Sequence, residues 1–198
     1  MSIEDLENFN INAKRKELIN NYAPKLGFDQ DAIDVFFDVL STVDTILEKR
    51  DARTKAREWD HVGVRVEDGK VILPKDFEDI VYEIVRDNQL YTFFLPEHLG
   101  GMGFGNLFQG PISEVIATYD ISLQIMIMIS LSVIEALVQY YKPNFDPILE
   151  EFGEGKRLGY VAFSEPGAGS NLEAVKSTSE LVGDEYVLNG TKVWISNG

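Results

Sequence analysis

The chain has 198 residues, with 18 Lys and Arg against 33 Asp and Glu, so its formal charge is −15, and its 44% apolar and 26% charged content is that of a globular protein, not of a disordered or collagen-like one. The length suits one domain, or one domain and part of a second; the absence of cysteine, with only His61 and His98 far apart, excludes disulfide scaffolds, thiolate zinc sites and cysteine nucleophiles and disfavours a histidine-built metal centre. The acidic balance argues against nucleic acid, which requires basic patches, and against an anionic membrane surface.

The start, Met1 to Glu7, is acidic and mixed, the opposite of a signal peptide's basic opening and apolar run. Together with the missing cysteines this gives the expectation of a cytoplasmic protein. Leu18, Ile19 and Tyr22 follow helical spacing, and Pro24 with Gly27 closes that segment. Asp29 reads as an N-cap. Behind it Ile33, Phe36, Phe37, Leu40, Val43, Ile46 and Leu47 recur at three and four residues, one face of a helix. The charged run from Glu48 to Asp60 reads as a solvated helix end. Val64 and Val66 lead into Asp68-Gly69, and Val71 and Leu73 lead out, a short hairpin within 62–73.

Pro74 can open a helix at its first position, with Phe77, Ile80, Val81, Ile84 and Val85 as its stripe. Leu95-Pro96 and the cluster Gly100 to Gly105 form an irregular loop. From Gly110-Pro111 the pattern predicts one helix to about Tyr141, about 45 Å long at the α-helical rise, apolar on nearly all sides and central in a bundle. Its uncharged stretch between Asp120 and Glu135 carries Ser122, Gln124, Ser130 and Ser132 and reads as too short to span a bilayer. Ile148, Leu149 and Phe152 suggest a further short helix. His98 and Glu135, each without a visible partner, are assigned to structure or surface.

At Leu158 the period changes from 3.6 to 2. Tyr160 to Ser164 is a β-prone run, and Leu181-Val182, Gly183-Asp184 and Tyr186-Val187-Leu188 suggest two strands and a turn. Asn189-Gly190 is a strong hairpin signal, with Val193-Trp194-Ile195 as the return strand. The fold class expected is α+β: an all-α helical bundle over 1–155, then an antiparallel β unit over 156–198. That unit offers three or four strands and looks incomplete. The expectation is the front part of a larger protein, or a partner that covers its edge.

Neither glycine cluster is a dinucleotide fingerprint: Asn106 and Leu172 stand where a third glycine belongs, and there is no Walker motif. Gly167-Ala168-Gly169-Ser170 can fold a turn whose N–H groups converge on a phosphate, with the Ser170 hydroxyl as a further donor, or it is a plain loop between strands.

The run from Tyr160 through Ser164-Glu165-Pro166-Gly167-Ala168-Gly169-Ser170 to Asn171 resembles the signature of acyl-CoA dehydrogenases. There a strand precedes Thr/Ser-Glu-Pro and Gly-Ala-Gly-Ser-Asp. Gly183 to Gly198, with Asn189-Gly190-Thr191-Lys192-Val193-Trp194-Ile195-Ser196-Asn197-Gly198, is similar to the second block of that family, and Leu95 to Gly103 to its proline and double-glycine loop. The resemblance covers roughly Phe77 to Gly198; the segment before it is more like the longer members. It implies an N-terminal helical domain, a middle β domain and a C-terminal helical domain, the last without a counterpart among these residues.

The resemblance also implies site residues. Val161, Phe163 and Ser164 stand where the first block lines the flavin ring of FAD. Gly169 and Ser170 stand where the loop meets the FAD pyrophosphate and, for Ser170, the pantetheine arm of the acyl-CoA substrate. Trp194 and Ser196 match the segment whose indole packs on the flavin and whose hydroxyl reaches flavin N5. Trp194 reads otherwise as a core aromatic on a strand, Ser164 and Ser196 as ordinary strand hydroxyls, and Phe163 equally as core or contact. Asn171 replaces the usual acidic residue and Val161 a frequent aromatic.

The reaction implied is α,β-dehydrogenation of an acyl-CoA thioester, with electrons passing to electron-transfer flavoprotein and a homo-oligomeric assembly. No catalytic base is assigned within the chain, since the family's glutamate comes from the C-terminal helical domain. Two other readings stand beside it: an acyl-CoA oxidase or related flavin monooxygenase of the same fold, and a non-catalytic binding or assembly subunit.

Overall fold

The computed structural model describes residues 11–198, so the acidic start on which the expectation of no leader rests lies outside the described residues. Among these residues are seven α-helices and two small antiparallel sheets of two strands each, an α+β fold dominated by its helices. Helix α1 (Ile11–Tyr22) tightens into a 3₁₀ turn over Ala23–Leu26, and Gly27 ends it in the left-handed region at φ 92°. Of its apolar stripe Ile19 is buried, while Leu18 and Tyr22 are exposed. Helix α2 (Gln30–Lys49) starts where the Asp29 carboxylate accepts the Ala32 N–H at 2.9 Å, satisfying one of the orphan donors of the first turn. Ile33, Phe36, Leu40, Val43, Ile46 and Leu47 are all buried along it, and Phe37 partly so.

The charged run after Glu48 is more than a solvated end. It holds helix α3 (Ala52–Val62), whose few inward residues include Trp59, set edge-on to Phe77 at 5.3 Å between ring centroids. A helix that buries two residues leaves almost no apolar period in the sequence. Strands β1 (Arg65–Glu67) and β2 (Lys70–Ile72) then pair across Asp68-Gly69, both at positive φ as a tight hairpin requires. Pro74 caps helix α4 (Lys75–Tyr82), one position earlier than expected; Phe77, Ile80 and Val81 on it, and Ile84 and Val85 in the π-helical turn over Glu83–Asp87 that follows, are buried in the core.

In the loop before the next helix, Gly101 lies so close to the Leu95 carbonyl that any Cβ would collide with backbone. The single long helix expected from Gly110 to Tyr141 is two: α5 (Asn106–Tyr119), which carries Pro111 inside it, and α6 (Ile121–Gln139). Asp120 separates them at φ −157°, ψ 131°, and its carboxylate accepts the Leu123 N–H at 2.7 Å. The aspartate offers the backbone a local bond in place of the helical one, and a one-residue break leaves the apolar period nearly in phase. α5 packs on α2 and α6, and Phe36, Phe104 and Phe108 meet there with centroids 4.2 to 5.9 Å apart.

Helix α6 is not buried all round. Leu123, Ile127, Leu131 and Ile134 are in the core, whereas Ile121 and Ile125 are 58% and 42% exposed. With 19 residues and a mean hydropathy of 2.1 it is long and apolar enough to cross a membrane, contrary to the expectation from the uncharged stretch alone. Its polar ties are to the protein: the Tyr91 hydroxyl donates to the Ile127 carbonyl at 2.9 Å, and burial pushes that phenol up. Helix α7 (Asp146–Gly153) closes the helical part.

Strands β3 (Thr178–Val182) and β4 (Glu185–Asn189) pair around Gly183-Asp184, with Gly183 at φ 66°, as the sequence suggests. Two other expected strands are absent. Tyr160 to Ser164 is irregular, and β4 ends at Asn189 without turning into a return strand over Val193–Ile195. Trp194 and Asn197 at φ 60° and 64° interrupt extended chain there. One backbone bond, from the Val193 N–H to the Ser164 carbonyl at 3.0 Å, joins the two segments, too little for a ladder.

Candidate functional site

The signature loop is a closed turn. Glu165 and Ala168 exchange backbone hydrogen bonds of 2.8 and 3.1 Å around Pro166-Gly167, and Ala168 is buried beneath. The Glu165 side chain turns inward, only 7% exposed. It accepts the Lys176 N–H at 2.8 Å, the Ser177 N–H at 3.0 Å and the Ser177 hydroxyl, and pairs with Lys192 Nζ at 2.9 Å. Lys192, then the Ser177 hydroxyl and the Lys176 amide, hold its carboxyl well below the usual carboxylate range, at about 2. Lys192 Nζ also donates to the Phe163 carbonyl at 3.2 Å.

These bonds lay the 191–198 segment beside the 160–164 segment. Val161 and Ser164 are half-buried, Phe163 is 62% exposed, Ser196 is exposed, and Trp194 stands 92% exposed, so it is no core aromatic. Val161, Phe163, Ser164, Trp194 and Ser196 therefore lie on two neighbouring strips of chain. Gly169 and Ser170 are exposed directly after the Glu165–Ala168 turn, and among the described residues no hydrogen bond ties them to either strip.

Three residues that sequence reasoning passes over hold this arrangement. Lys192 is one. Asn197 is another: its side-chain amide donates to the Met126 carbonyl at 2.9 Å and the Gly159 carbonyl at 3.1 Å, anchoring the 194–197 turn on α6. Ser130 is the third, fully buried on α6, accepting the Gly159 N–H at 2.9 Å. The available signals were the serines of an apolar helix, of which spacing does not single out Ser130, and an Asn-Gly pair at 197–198. His98 sits as assigned, at the surface, 3.1 Å from the Tyr141 hydroxyl, which donates to Asp146 at 2.8 Å. A cavity of about 630 Å³ between α1 and α5, lined by Lys14, Leu18, Tyr22, Leu107 and Pro111, shares no residue with the two strips.

No family model matches the chain. Among curated proteins it is 32% identical over 128 residues to isovaleryl-CoA dehydrogenase, mitochondrial, of Oryza sativa subsp. japonica, covering 63% of this chain and 31% of the relative. It is 33% identical over 110 residues to human short-chain specific acyl-CoA dehydrogenase, mitochondrial, covering 54% and 27%. Solved structures share the fold. Glutaryl-CoA dehydrogenase from Mycobacterium smegmatis superposes with a TM-score of 0.66 at 18% identity, over 91% of this chain and 43% of that one. An acyl-CoA dehydrogenase complexed with FAD from Bacillus anthracis gives 0.63 at 20% identity, over 85% and 27%. A structure of the electron transferring flavoprotein of Acidaminococcus fermentans gives 0.61 at 22% identity, over 86% and 41%. The chain spans about a third of the length of the curated relatives it matches. In sequence over about half or more of its length, and in fold over most of it, the chain is similar to acyl-CoA dehydrogenases.

Proposed function

We propose that this chain carries flavin-facing segments of an FAD-dependent acyl-CoA dehydrogenase. The whole protein would introduce a double bond between Cα and Cβ of an acyl-CoA thioester, pass electrons to electron-transfer flavoprotein and work as a homo-oligomer. The observation that carries this reading is the lateral placement of the two motif strips by the Val193–Ser164 and Lys192–Phe163 bonds. The residues present suit a flavin. Phe163 and Trp194 offer uncovered aromatic surface, Ser164 and Ser196 offer hydroxyls beside it, and the Gly169-Ser170 turn offers backbone N–H groups and a hydroxyl suited to a pyrophosphate. The flavin would supply the hydride-accepting ring; the protein's part is to bind and orient it.

Glu165 does not serve as the base that takes the α proton. It is the only carboxylate in the signature run, yet its oxygens are engaged by Lys192, Ser177 and Lys176, and a carboxyl held at about 2 is a poor proton acceptor. We therefore assign no general base to the signature loop. In this reading the purified chain binds FAD in preference to FMN, because the Gly169-Ser170 turn meets a pyrophosphate, and does not oxidise acyl-CoA. Titration with each flavin, followed by an assay with acyl-CoA and an artificial acceptor, tests both points. Equal affinity for FMN removes the pyrophosphate assignment, and turnover would place a base within the chain.

A further inference from the structure

We propose that Glu165 and Lys192 form a clamp that fixes the register between the two flavin-facing strips, making both positioning residues for the cofactor site. The inference rests on the proposed function and adds to it residues that hold the flavin contacts without making them.

The geometry joins three stretches of chain at one carboxylate. Glu165 belongs to the signature turn, Lys176 and Ser177 lead into β3, and Lys192 follows β4. One Glu165 oxygen receives Lys192 Nζ, the Ser177 amide and the Ser177 hydroxyl, and the other receives the Lys176 amide. Lys192 has a second acceptor in the Phe163 carbonyl, one residue before Ser164. The neighbouring Val193 N–H reaches the Ser164 carbonyl. The ammonium therefore grips the first strip at two points, and the following backbone bond falls into register beside it. Trp194 and Ser196 come next along the same strip, between this point and the Asn197 anchor on α6, so Lys192 holds the near end of the segment that carries them.

The shape of the carboxylate's surroundings makes the clamp directional. Glu165 faces two backbone N–H groups as well as an ammonium, so a lysine in its place would confront donors. The pair cannot be exchanged, as a simple surface ion pair can. An arginine at 192 keeps the charge and the donors, whereas a methionine keeps only the stem and leaves a nearly buried carboxylate without its cation.

Amide hydrogen exchange in the purified chain reads the clamp directly. In Lys192→Met, exchange at Val193 should accelerate about tenfold or more while amides in the middle of α2 are unchanged; Lys192→Arg should return Val193 to within about threefold of wild type. The double swap Glu165→Lys with Lys192→Glu should not restore protection at Lys176 and Ser177. In parallel, the FAD dissociation constant should rise about tenfold in Lys192→Met and recover in Lys192→Arg. Unchanged exchange at Val193, restored protection in the double swap, or loosened exchange with unchanged FAD affinity would each overturn the clamp as a positioning device. If the wild type itself binds no FAD, the cofactor reading fails, and with it the positioning role, while the exchange series still shows whether the ion pair sets the register.

Discussion

The Ser130 hydroxyl accepts the Gly159 N–H at 2.9 Å, in the middle of α6 and out of reach of solvent. Both groups are buried, and a Cβ on Gly159 would come within 2.9 Å of Val133 and 3.2 Å of Phe152. This contact therefore has two requirements, a polar side chain on an apolar helix and no side chain on the segment that meets it. It docks the chain leaving α7 onto α6 just before the signature loop begins.

Ser130→Ala should lower stability by about 1–3 kcal/mol, because a buried N–H is left without an acceptor. Gly159→Ala should cost a similar amount or more through overpacking against Val133 and Phe152. Urea unfolding followed by far-ultraviolet circular dichroism measures both. A Ser130→Ala variant as stable as wild type would mean that the N–H finds another partner.

The two tryptophans should report from opposite environments. Trp59 is buried against Phe77, and Trp194 is almost fully exposed. Trp59→Phe, which leaves only Trp194, should emit at long wavelength and be quenched freely by acrylamide. Trp194→Phe should emit at shorter wavelength and resist quenching. Trp59→Ala should destabilise the helical part by about 3–5 kcal/mol. Similar quenching of the two single-tryptophan variants would contradict the placement of Trp194.

Most helices were legible because their residues obey one period on one face: Ile33 to Leu47 on α2, and Phe77 to Val81 on α4 continuing to Ile84 and Val85 in the π-helical turn that follows it, read directly from spacing. Asp29 was legible as a cap because its chemistry is local. Asp120 was not, because its break hardly disturbs the apolar phase of α5 and α6. Helix α3 was hidden by charge, with only Ala52 and Trp59 buried. In the β part the turn at Gly183-Asp184 was local and readable, whereas the strands expected at Tyr160–Ser164 and Val193–Ile195 depend on distant partners. The motif strips could be quoted from the sequence, but not the side chains that place them. Lys192 and Asn197 act across 27 and 71 residues of chain, and no local spacing encodes that.

Asn197 combines a left-handed backbone with two side-chain bonds to carbonyls of Met126 and Gly159. Asn197→Gly suits the positive φ and loses the bonds; Asn197→Ala loses the bonds and is strained as well. Asn197→Asp should be the most disruptive locally, because a carboxylate replaces a donor facing two carbonyl oxygens. With Trp59→Phe as background, fluorescence anisotropy of Trp194 should fall in the order Gly, Ala, Asp, the local loss being about 1 kcal/mol for the first. An aspartate variant as rigid as wild type would show that the amide does not hold the turn on α6.

Glu165 makes the stability of the signature loop depend on pH in a defined direction. Lys192, Ser177 and Lys176 lower its folded-state value to about 2 from an ordinary 4.5. The unfolded chain therefore binds this proton more readily than the folded one. The carboxylate's contribution is complete above about pH 4.5, declines as pH falls below that, and is gone once pH passes below about 2. In Glu165→Gln the dependence of stability on pH between 4.5 and 2 should be shallower, while the behaviour above that window is unchanged in slope. Carbon-detected titration of the Glu165 carboxyl should show a midpoint near 2 in wild type. That midpoint should move up in Lys192→Met, which removes the largest cause, and up by less in Ser177→Ala. A wild-type midpoint at the ordinary carboxylate value would mean that the donors seen around Glu165 do not hold it in solution.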